Sequence, residues 1–309
     1  MPKVLVLMST YNGERYVADQ ILSIMKQTNV EVELLIRDDG SRDSTTDVVE
    51  HLSHEYPNIK LHKGQNVGFV DSFNELVRWA ASECKADFYA FVDQDDVWYP
   101  NKLKIARERL TLFPKDEPNL FCSNSDIIDE NGQFTGKHFL QHVPRFSKGN
   151  ILMYPTLQGC SMVFNRKALE LYADHLPLRA YHDRWMYCIC NFMGNVYYEH
   201  QPLFEYRIHG HNALGVSNKK GLKTTLKRAR RMLTSDKTHA GYFDMTKEFY
   251  LAFSDILPKE RKKLINDYLS YRRDISKKIK LIFSNEFCTT KPGVGEQILR
   301  VIHILQNRI

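Results

Sequence analysis

Short apolar runs alternate with amphipathic stretches through the first third of the chain. Runs typical of buried strands lie at 4–8, 33–37, 59–62 and 88–92. Between them, apolar residues recur at helical spacing around 16–27, 44–55 and 73–80. Strands and helices that alternate in this way form a parallel sheet with helices on both faces, so the pattern predicts an α/β fold.

The pattern changes after about residue 119. The stretch 120–215 is mixed, with strand-like runs at 121–123 and 161–164, a turn at 129–132 and a helix around 184–192. From about 216 the apolar residues recur at helical spacing and lysines are frequent. We therefore predict a domain over 1–215, in two halves that meet near 119, and a helical, basic region over 216–309.

Polar residues follow each of the four strands predicted in the first third. The segments are Thr10-Tyr11-Asn12, Asp38-Asp39-Gly40, Asn66-Val67-Gly68 and Asp93-Gln94-Asp95-Asp96. Ligands on a parallel sheet bind at the carboxyl ends of its strands. We therefore expect the four segments to meet at one rim and to form a single site.

The last of these segments is the most informative, because Asp93, Asp95 and Asp96 emerge together from an apolar run. Acidic groups this close repel one another, so their joint ionisation calls for a bound cation. Mg²⁺ or Mn²⁺ suits such a site, because these ions bind through few protein carboxylates and leave room for substrate phosphates. The alternative interpretation is a solvated acidic turn that caps the next helix, since Asp is a favourable N-cap residue.

Composition and charge narrow the class of protein. Of the 309 residues 43% are apolar, which fits a folded chain with a buried core, and the formal charge is +6. Much of that charge lies in 219–231, a stretch without acidic or aromatic residues. This stretch is an exposed cationic face, a contact with an anionic membrane surface, or a contact with nucleic acid. The absence of interleaved aromatic residues gives the nucleic-acid interpretation no support.

Targeting signals and disulfides are not expected. The N-terminal apolar run is too short for a signal peptide, and no apolar run reaches the roughly 18 residues that a transmembrane helix needs. The six cysteines lack the spacing of a metal site, so we expect free thiols in a reducing cytoplasm.

Taken together, the motifs resemble the start of family 2 glycosyltransferases. The segments that carry the resemblance are 7–13, 37–41 with Asp43 and Thr45 behind it, 66–68 and 93–98, in the expected order and spacing. The forms Ser-Thr-Tyr-Asn-Gly and Asp-Gln-Asp-Asp-Val-Trp look most like bacterial rhamnosyltransferases of cell-wall and O-antigen polysaccharide synthesis. The resemblance implies a GT-A fold, in which a mostly parallel nucleotide-binding sheet (about 1–119) merges with an acceptor-binding half (about 120–215).

The resemblance also assigns residues to the donor and to a metal. The nucleotide is expected to contact Thr10, Tyr11, Asn12, Asp38, Asp39, Asn66, Gly68, Asp93 and Gln94. A Mg²⁺ or Mn²⁺ ion that bridges the two phosphates is expected at Asp93, Asp95, Asp96 and His209. For Asp38 and Asp39 the alternative is a tight turn before a capped helix, which Asp-Gly also suits.

On the acceptor side, Asp183 resembles the acidic residue of the family's Glu-Asp element and is the expected general base. His182 stands where many members carry an acid, and an N-cap role for Asp183 is the alternative. Other residues expected near the acceptor or the diphosphate are Trp98, Gln158, Gly159, Arg207 and His211.

The implied activity is metal-dependent, inverting transfer of a sugar, with dTDP-rhamnose as the first expected donor and a UDP-hexose as the alternative. The implied acceptor is a lipid-linked oligosaccharide. We expect a cytoplasmic protein that docks on the inner face of the plasma membrane through its basic C-terminal region and does not bind nucleic acid. From another class, a non-catalytic Mg²⁺-binding phospho-acceptor switch domain is the alternative, and the chain length and Asp183 disfavour it.

Overall fold

The structure is a computed structural model that describes residues 1–144, 146–153, 157–210 and 240–287, with positions 301, 304 and 305. Its strands are β1 Lys3–Thr10, β2 Glu31–Asp38, β3 Ile59–Lys63, β4 Phe88–Val92, β5 Val97–Trp98, β6 Asn119–Ile128, β7 Phe134–His138, β8 Val163–Asn165 and β9 Asn195–Arg207. Its helices are α1 Val17–Met25, α2 Thr45–Glu55, α3 Phe69–Glu83, α4 Lys102–Leu110, α5 Asn150–Met153, α6 Arg166–Asp174, α7 His182–Met193, α8 Ala240–Phe253, α9 Lys259–Ser270 and α10 Ile275–Phe283. Short 3₁₀ turns cover Gly159–Ser161 and Asn285–Phe287.

One sheet organises the first 210 residues. Its strand order is β3-β2-β1-β4-β8-β6-β9-β5, with β7 paired to β6. The pairs β3/β2, β2/β1, β1/β4 and β6/β9 are parallel, while β8 runs antiparallel to both β4 and β6. The parallel sheet predicted for the first third is confirmed, and β1, β2 and β4 end side by side.

Helices cover both faces of this sheet because its central strands are apolar on both faces. In β4, Ala90 and Val92 join the core that contains Ile21 of α1. Between them Phe91 points the other way, and its ring lies 5.5 Å from that of Phe73 on α3. Because successive side chains of a strand point to opposite faces, this five-residue strand contributes to the packing on both faces of the sheet.

The middle of the chain differs from the expected elements. The predicted strand at 161–164 is wrong in its first half, because 159–161 form a 3₁₀ turn and the strand begins at Val163. The longest strand, β9, was not predicted. Its pairing with β6 shifts register twice, so no steady alternation of polar and apolar residues is imposed on the sequence.

The chain divides into two compact units. The first comprises residues 1–142 and 157–210, and the second comprises 143–156 and 211–309. Within the described residues the second unit is helical, with α5 packed against α8 and the 3₁₀ turn at 285–287. The domain boundary predicted near 215, and the basic stretch 219–231, lie outside the described residues. None of the helices that are described has the length and apolar character needed to cross a bilayer.

Candidate active site

A side-chain amide joins the loop after β1 to the acidic loop after β4. Gln94 accepts the backbone N–H of Tyr11 through Oε1 at 2.9 Å and donates Nε2 to the carbonyl of Tyr11 at 3.1 Å. A Cβ on Gly13 would lie 2.3 Å from the same Oε1, so a side chain at that position would displace the Gln94 amide. Gln94, expected at the nucleotide, therefore also fixes the distance between two loops of the rim.

Asp38, at the end of β2, organises the loop that follows it. Its Oδ1 accepts the backbone N–H groups of Gly40 and Ser41, while its Oδ2 accepts the hydroxyls of Thr10 and Ser41. Four protein donors occupy a carboxylate that has about four acceptor positions. The turn expected as the alternative interpretation of Asp38 is thus present in the structure.

Asp39 holds the loop at 66–68 against the end of β2. It accepts the backbone N–H groups of Val67 and Gly68, each at 2.9 Å, and pairs with the buried guanidinium of Arg37. Gly68 adopts a φ of 86°, which favours glycine, and the side chain of Asn66 is exposed. The first three polar segments therefore meet at one rim, as the sequence predicted.

The fourth segment brings the acidic residues to the same rim. Asp95 faces His209 with 2.8 Å between Oδ2 and Nε2. Asp96 is fully buried, and its Oδ1 accepts the backbone N–H of Arg207 at 3.2 Å. Within the described part of the chain, the Oδ2 of Asp96 has no hydrogen-bond partner.

Burial gives this acidic loop unusual proton affinities. Burial, reinforced by the charges of Asp95 and Asp183, raises the pKa of Asp93 to about 7. Burial and the neighbouring carboxylates likewise raise the pKa of Asp96 well above its usual range. A fully buried lysine, Lys102, lies close by, and burial lowers the pKa of its ammonium group to about 7. Its Nζ donates to the carbonyl of Cys160 and lies 3.7 Å from the centre of the Trp98 ring.

The expected base, Asp183, lies in the first turn of α7. Its Oδ1 accepts the backbone N–H of Arg184 at 2.6 Å. Burial raises the pKa of Asp183 to about 6, although this hydrogen bond and the charge of Arg184 favour the ionised form. Because the charge of Asp183 also raises the pKa of Asp93, the two carboxylates share one electrostatic environment. A Cβ on Gly159 would lie 3.1 Å from the Asp183 Cβ, and the next residue, Cys160, has its ligand atom within 4.8 Å of those of Asp93 and Asp96, so Asp183 lies near the acidic loop.

An aromatic pocket fixes the start of α7. The ring of His182 stacks on Phe73 at 3.7 Å and lies 4.7 Å from Phe91 and 5.1 Å from Phe69. Burial lowers the pKa of His182 to about 3, so its imidazole is neutral. Neither ring nitrogen has a partner among the described residues. A Cβ on Gly159 would lie 2.6 Å from the His182 Nε2 and 3.1 Å from the Asp183 Cβ, so the turn at 159 must be glycine for α7 to approach.

Arg207 and His209 extend from the end of β9 toward the acidic loop. Arg207 donates its Nε to the carbonyl of Asp95 at 2.9 Å, and its guanidinium lies 4.7 Å from the centre of the Tyr16 ring. His209 stacks on the same ring at 5.1 Å. These contacts bring both residues to the site, with Arg207 buried against the loop. His211 lies outside the described residues.

The remaining expected residues divide between the rim and the core. Gln158 accepts the hydroxyl of Ser125 at 2.9 Å and precedes the turn that contains Gly159. Trp98, by contrast, is only 2% exposed and lies in the core beneath Lys102. The expectation that Trp98 contacts the acceptor or the diphosphate does not fit this burial.

The donor set at the acidic loop fits a hard divalent cation. Ligand atoms of Asp93, Asp96 and Cys160 lie within 4.8 Å of one another, and the Oδ2 of Asp96 is buried without a partner in the described residues. Mg²⁺ and Mn²⁺ prefer oxygen ligands, so the carboxylates rather than the softer thiol suit them. Participation of Asp95 and His209 in the metal site stays a prediction.

Sequence reasoning missed Lys102, Cys160 and Tyr16. A signal for Lys102 was present, because it continues the buried positions Ala106 and Leu110 of α4 at a spacing of four residues. A cation on the apolar stripe of a helix indicates a buried charge near acidic groups. Nothing comparable marks Cys160 or Tyr16, since their roles arise from packing between distant segments.

A family model described as Glycosyl transferase family 2 matches residues 5–172. The chain belongs to glycosyl transferase family 2. This confirms the resemblance carried by the motifs and the expected class of enzyme, and it removes the switch-domain alternative.

Curated relatives agree with this assignment. The chain is 30% identical over 230 residues to the uncharacterized glycosyltransferase alr2836 of Nostoc sp., covering 68% of this chain and 66% of the relative. It is 26% identical over 221 residues to the dTDP-rhamnosyl transferase RfbG of Shigella flexneri, covering 68% and 74%. A shorter match of 129 residues, 32% identical and covering 41% and 47%, is to WfgD of Escherichia coli, named UDP-Glc:alpha-D-GlcNAc-diphosphoundecaprenol beta-1,3-glucosyltransferase.

Solved structures confirm the expected GT-A type fold. The fold is similar to that of S. aureus TarS 1–349 in complex with UDP-GlcNAc, with a TM-score of 0.59 and 19% identity. That match covers 99% of this chain and 80% of TarS. A second TarS structure, in complex with UDP, gives a TM-score of 0.55 at 17% identity, covering 98% and 88%.

Proposed function

We propose that the chain is a metal-dependent, inverting glycosyltransferase that transfers a sugar from a nucleoside-diphosphate donor to a hydroxyl of a growing surface polysaccharide. The observation that carries the proposal is that the turn at Gly159 and Cys160 adjoins both groups: a Cβ on Gly159 would lie 3.1 Å from the Asp183 Cβ, and ligand atoms of Cys160, Asp93 and Asp96 lie within 4.8 Å of one another. A partly buried carboxylate with a pKa of about 6 therefore lies beside the turn that adjoins the acidic loop. With a pKa of about 6, Asp183 is mostly ionised at pH 7 and can take a proton from an acceptor hydroxyl.

The acidic loop serves the leaving group in this proposal. A bound Mg²⁺ or Mn²⁺ would supply Lewis-acid stabilisation of the departing diphosphate. Asp93 and Asp96 would hold the ion, joined by Asp95 and His209, which lie 2.8 Å apart, while Arg207 supports the loop by donating to the carbonyl of Asp95. Asp183 takes the acceptor proton, and the aromatic pocket around His182 keeps its helix in place.

The proposed donor is dTDP-rhamnose, with a UDP-hexose as the alternative. RfbG, 26% identical, is named a dTDP-rhamnosyl transferase, and WfgD, 32% identical over a shorter stretch, is named for UDP-Glc. The printed acceptor of WfgD is a diphosphoundecaprenol-linked sugar, which supports a lipid-linked acceptor here. We place the reaction at the cytoplasmic face of the membrane, with the basic C-terminal region at its surface.

Substitution of Asp183 by Asn tests the proposed base. Transfer should fall by roughly 10²–10⁴-fold, because the amide cannot accept the hydroxyl proton. Thermal stabilisation by dTDP or UDP with Mn²⁺ should persist, and EDTA should abolish it. The matched control is Asp47→Asn, which changes an exposed acid in the first turn of α2. Full activity of Asp183→Asn would refute the assignment, and no stabilisation of the wild-type protein by any nucleoside diphosphate would refute the proposed donor class.

A further inference from the structure

Helix α10 of the second unit has an unusually exposed apolar stripe. Ile275, Ile279 and Phe283 are 69%, 52% and 80% exposed. Their spacing of four residues places them on one face of the helix. Three large apolar side chains in a row on a protein surface mark a site of interaction.

The opposite face and the start of α10 are held within the second unit by packing, an N-cap and ion pairs. Leu281, on the opposite face, is 1% exposed. Asp274 caps the start of the helix by accepting the backbone N–H of Ser276 at 2.9 Å. Asp267 of α9 pairs with Lys277 at 3.2 Å and with Lys280 at 2.5 Å. The exposed stripe is therefore the outer face of a packed helix.

The charge around the stripe indicates what covers it. At about 100° per residue, Lys278 borders the stripe on one side and Lys280, which is 53% exposed and also pairs with Asp267, borders it on the other. Residues 259–287 contain nine Lys and Arg against four Asp and Glu. An apolar stripe between cationic borders is complementary to an anionic lipid bilayer, whose acyl region accepts the apolar side chains and whose headgroups attract the lysines. A second copy of the chain would instead bring the same cations together.

We propose that α10 lies in the interface of an anionic membrane, with Ile275, Ile279 and Phe283 inserted among the acyl chains. This deepens the proposed function, because it names the helix that docks on the membrane. It rests on residues other than the basic stretch 219–231. Binding to vesicles requires neither donor nor acceptor, so it is measured separately from sugar transfer.

Co-sedimentation of the full chain with lipid vesicles tests the proposal. Binding should be strong for phosphatidylcholine vesicles that contain phosphatidylglycerol and at least about tenfold weaker for phosphatidylcholine alone. The double variant Ile279→Ser with Phe283→Ser should lose binding about tenfold or more, and Lys278→Glu should weaken it. Leu112→Ser, which removes a 72% exposed leucine of the first unit, is the matched control and should bind as the wild type does.

A fluorescent reporter locates the helix directly. The three tryptophans of the chain, Trp79, Trp98 and Trp185, all belong to the first unit. The variant Phe283→Trp should therefore show a blue shift on vesicle addition and be quenched by brominated acyl chains, beyond the wild-type response. Nucleotide-dependent thermal stabilisation in the same samples reports on the donor site, so failure of the donor proposal is recognised separately.

Two results would overturn the inference. One is equal binding of the wild type and the Ile279→Ser with Phe283→Ser variant to anionic vesicles. The other is evidence that the stripe mediates self-association and does not bind lipid. In that case sedimentation velocity would show an oligomer that dissociates in the double variant, with no emission shift of Phe283→Trp on lipid.

Discussion

Burial gives Asp183 the proton affinity that a general base needs near neutral pH. An exposed aspartate has a pKa near 3.9 and is a poor proton acceptor at pH 7. In the first turn of α7, burial disfavours the charged form and raises the pKa of Asp183 to about 6. The backbone N–H of Arg184 limits the rise, because it donates to the ionised carboxylate.

The pH dependence of transfer follows from this pKa. A general base acts only when it is deprotonated, so protonation of Asp183 below its pKa should remove activity. We expect kcat/KM to fall about tenfold per pH unit below about pH 6 and to level off above it, measured with a saturating metal ion. Metal binding measured over the same range is the control. If activity at low pH falls in step with the loss of bound metal, the pKa that limits activity belongs to the acidic loop and not to Asp183.

Gly159 should also matter for activity, because it packs against the base. Its Cβ in an alanine variant would meet the His182 Nε2 at 2.6 Å and the Asp183 Cβ at 3.1 Å, so α7 would have to shift. Misplacement of a catalytic group by about 1 Å can cost about 10²-fold, and we expect Gly159→Ala to lower kcat/KM by about 10- to 100-fold. Nucleotide-dependent thermal stabilisation should remain.

The steric control for that variant is Gly210→Ala. A Cβ at 210 has no described atom within 4 Å, so thermal unfolding of this variant should match the wild type. Unchanged activity of Gly159→Ala would show that α7 is not held where the structure places it.

At the scale of elements, the ion pairs around Arg37 tie β2 to α3 and to the loop at 66–68. The Arg37 side chain is 2% exposed and pairs with Asp39, which is 5% exposed, and with Glu75 of α3. Arg37 also donates to the carbonyl of Gln65 at 3.1 Å. One side chain at the end of a strand therefore sets the positions of two neighbouring elements of the rim.

Substitution of Arg37 should destabilise the fold, because it leaves the buried carboxylate of Asp39 without its cationic partner. We expect Arg37→Met to lower the free energy of unfolding by about 3–5 kcal/mol, measured by urea denaturation. Glu75→Gln, which alters the half-exposed partner, should cost only about 1 kcal/mol or less. The double variant Arg37→Met with Asp39→Asn should recover part of the loss. A small effect of Arg37→Met alone would mean that water replaces the guanidinium.

The elements that could be predicted from sequence are those with regular patterns. The run at 88–92 gives β4 with matching bounds, because its five residues are all buried. The polar segments after the strands also reach one rim, since parallel strands end side by side. By contrast, β9 and the turn at 159–161 depend on pairing with distant strands, which leaves no local periodicity. The roles of Gln94 and His182 likewise depend on distant partners, Tyr11 and Phe73.

At the scale of the whole molecule, the units do not follow the order of the chain. The sequence predicted a boundary near 215, but the segment 143–156 belongs with 211–309. In this segment Ile151 and Leu152 are buried, and the hydroxyl of Ser147 donates to the carbonyl of Glu286 at 2.6 Å. A short insertion of this kind carries too few residues to show a pattern of its own in the sequence.

Truncation after residue 215 should therefore leave the first unit with an exposed apolar segment. The 146–153 segment would lose α8 and the turn at 285–287, leaving Ile151 and Leu152 without cover. We expect the truncated chain to bind a hydrophobic dye and to be cleaved by protease within 143–156, because an uncovered apolar segment opens locally. Ile151→Ser with Leu152→Ser in the truncated chain should reduce dye binding, whereas Leu112→Ser should not. A truncated chain without dye binding or cleavage there would show that the segment folds with the first unit.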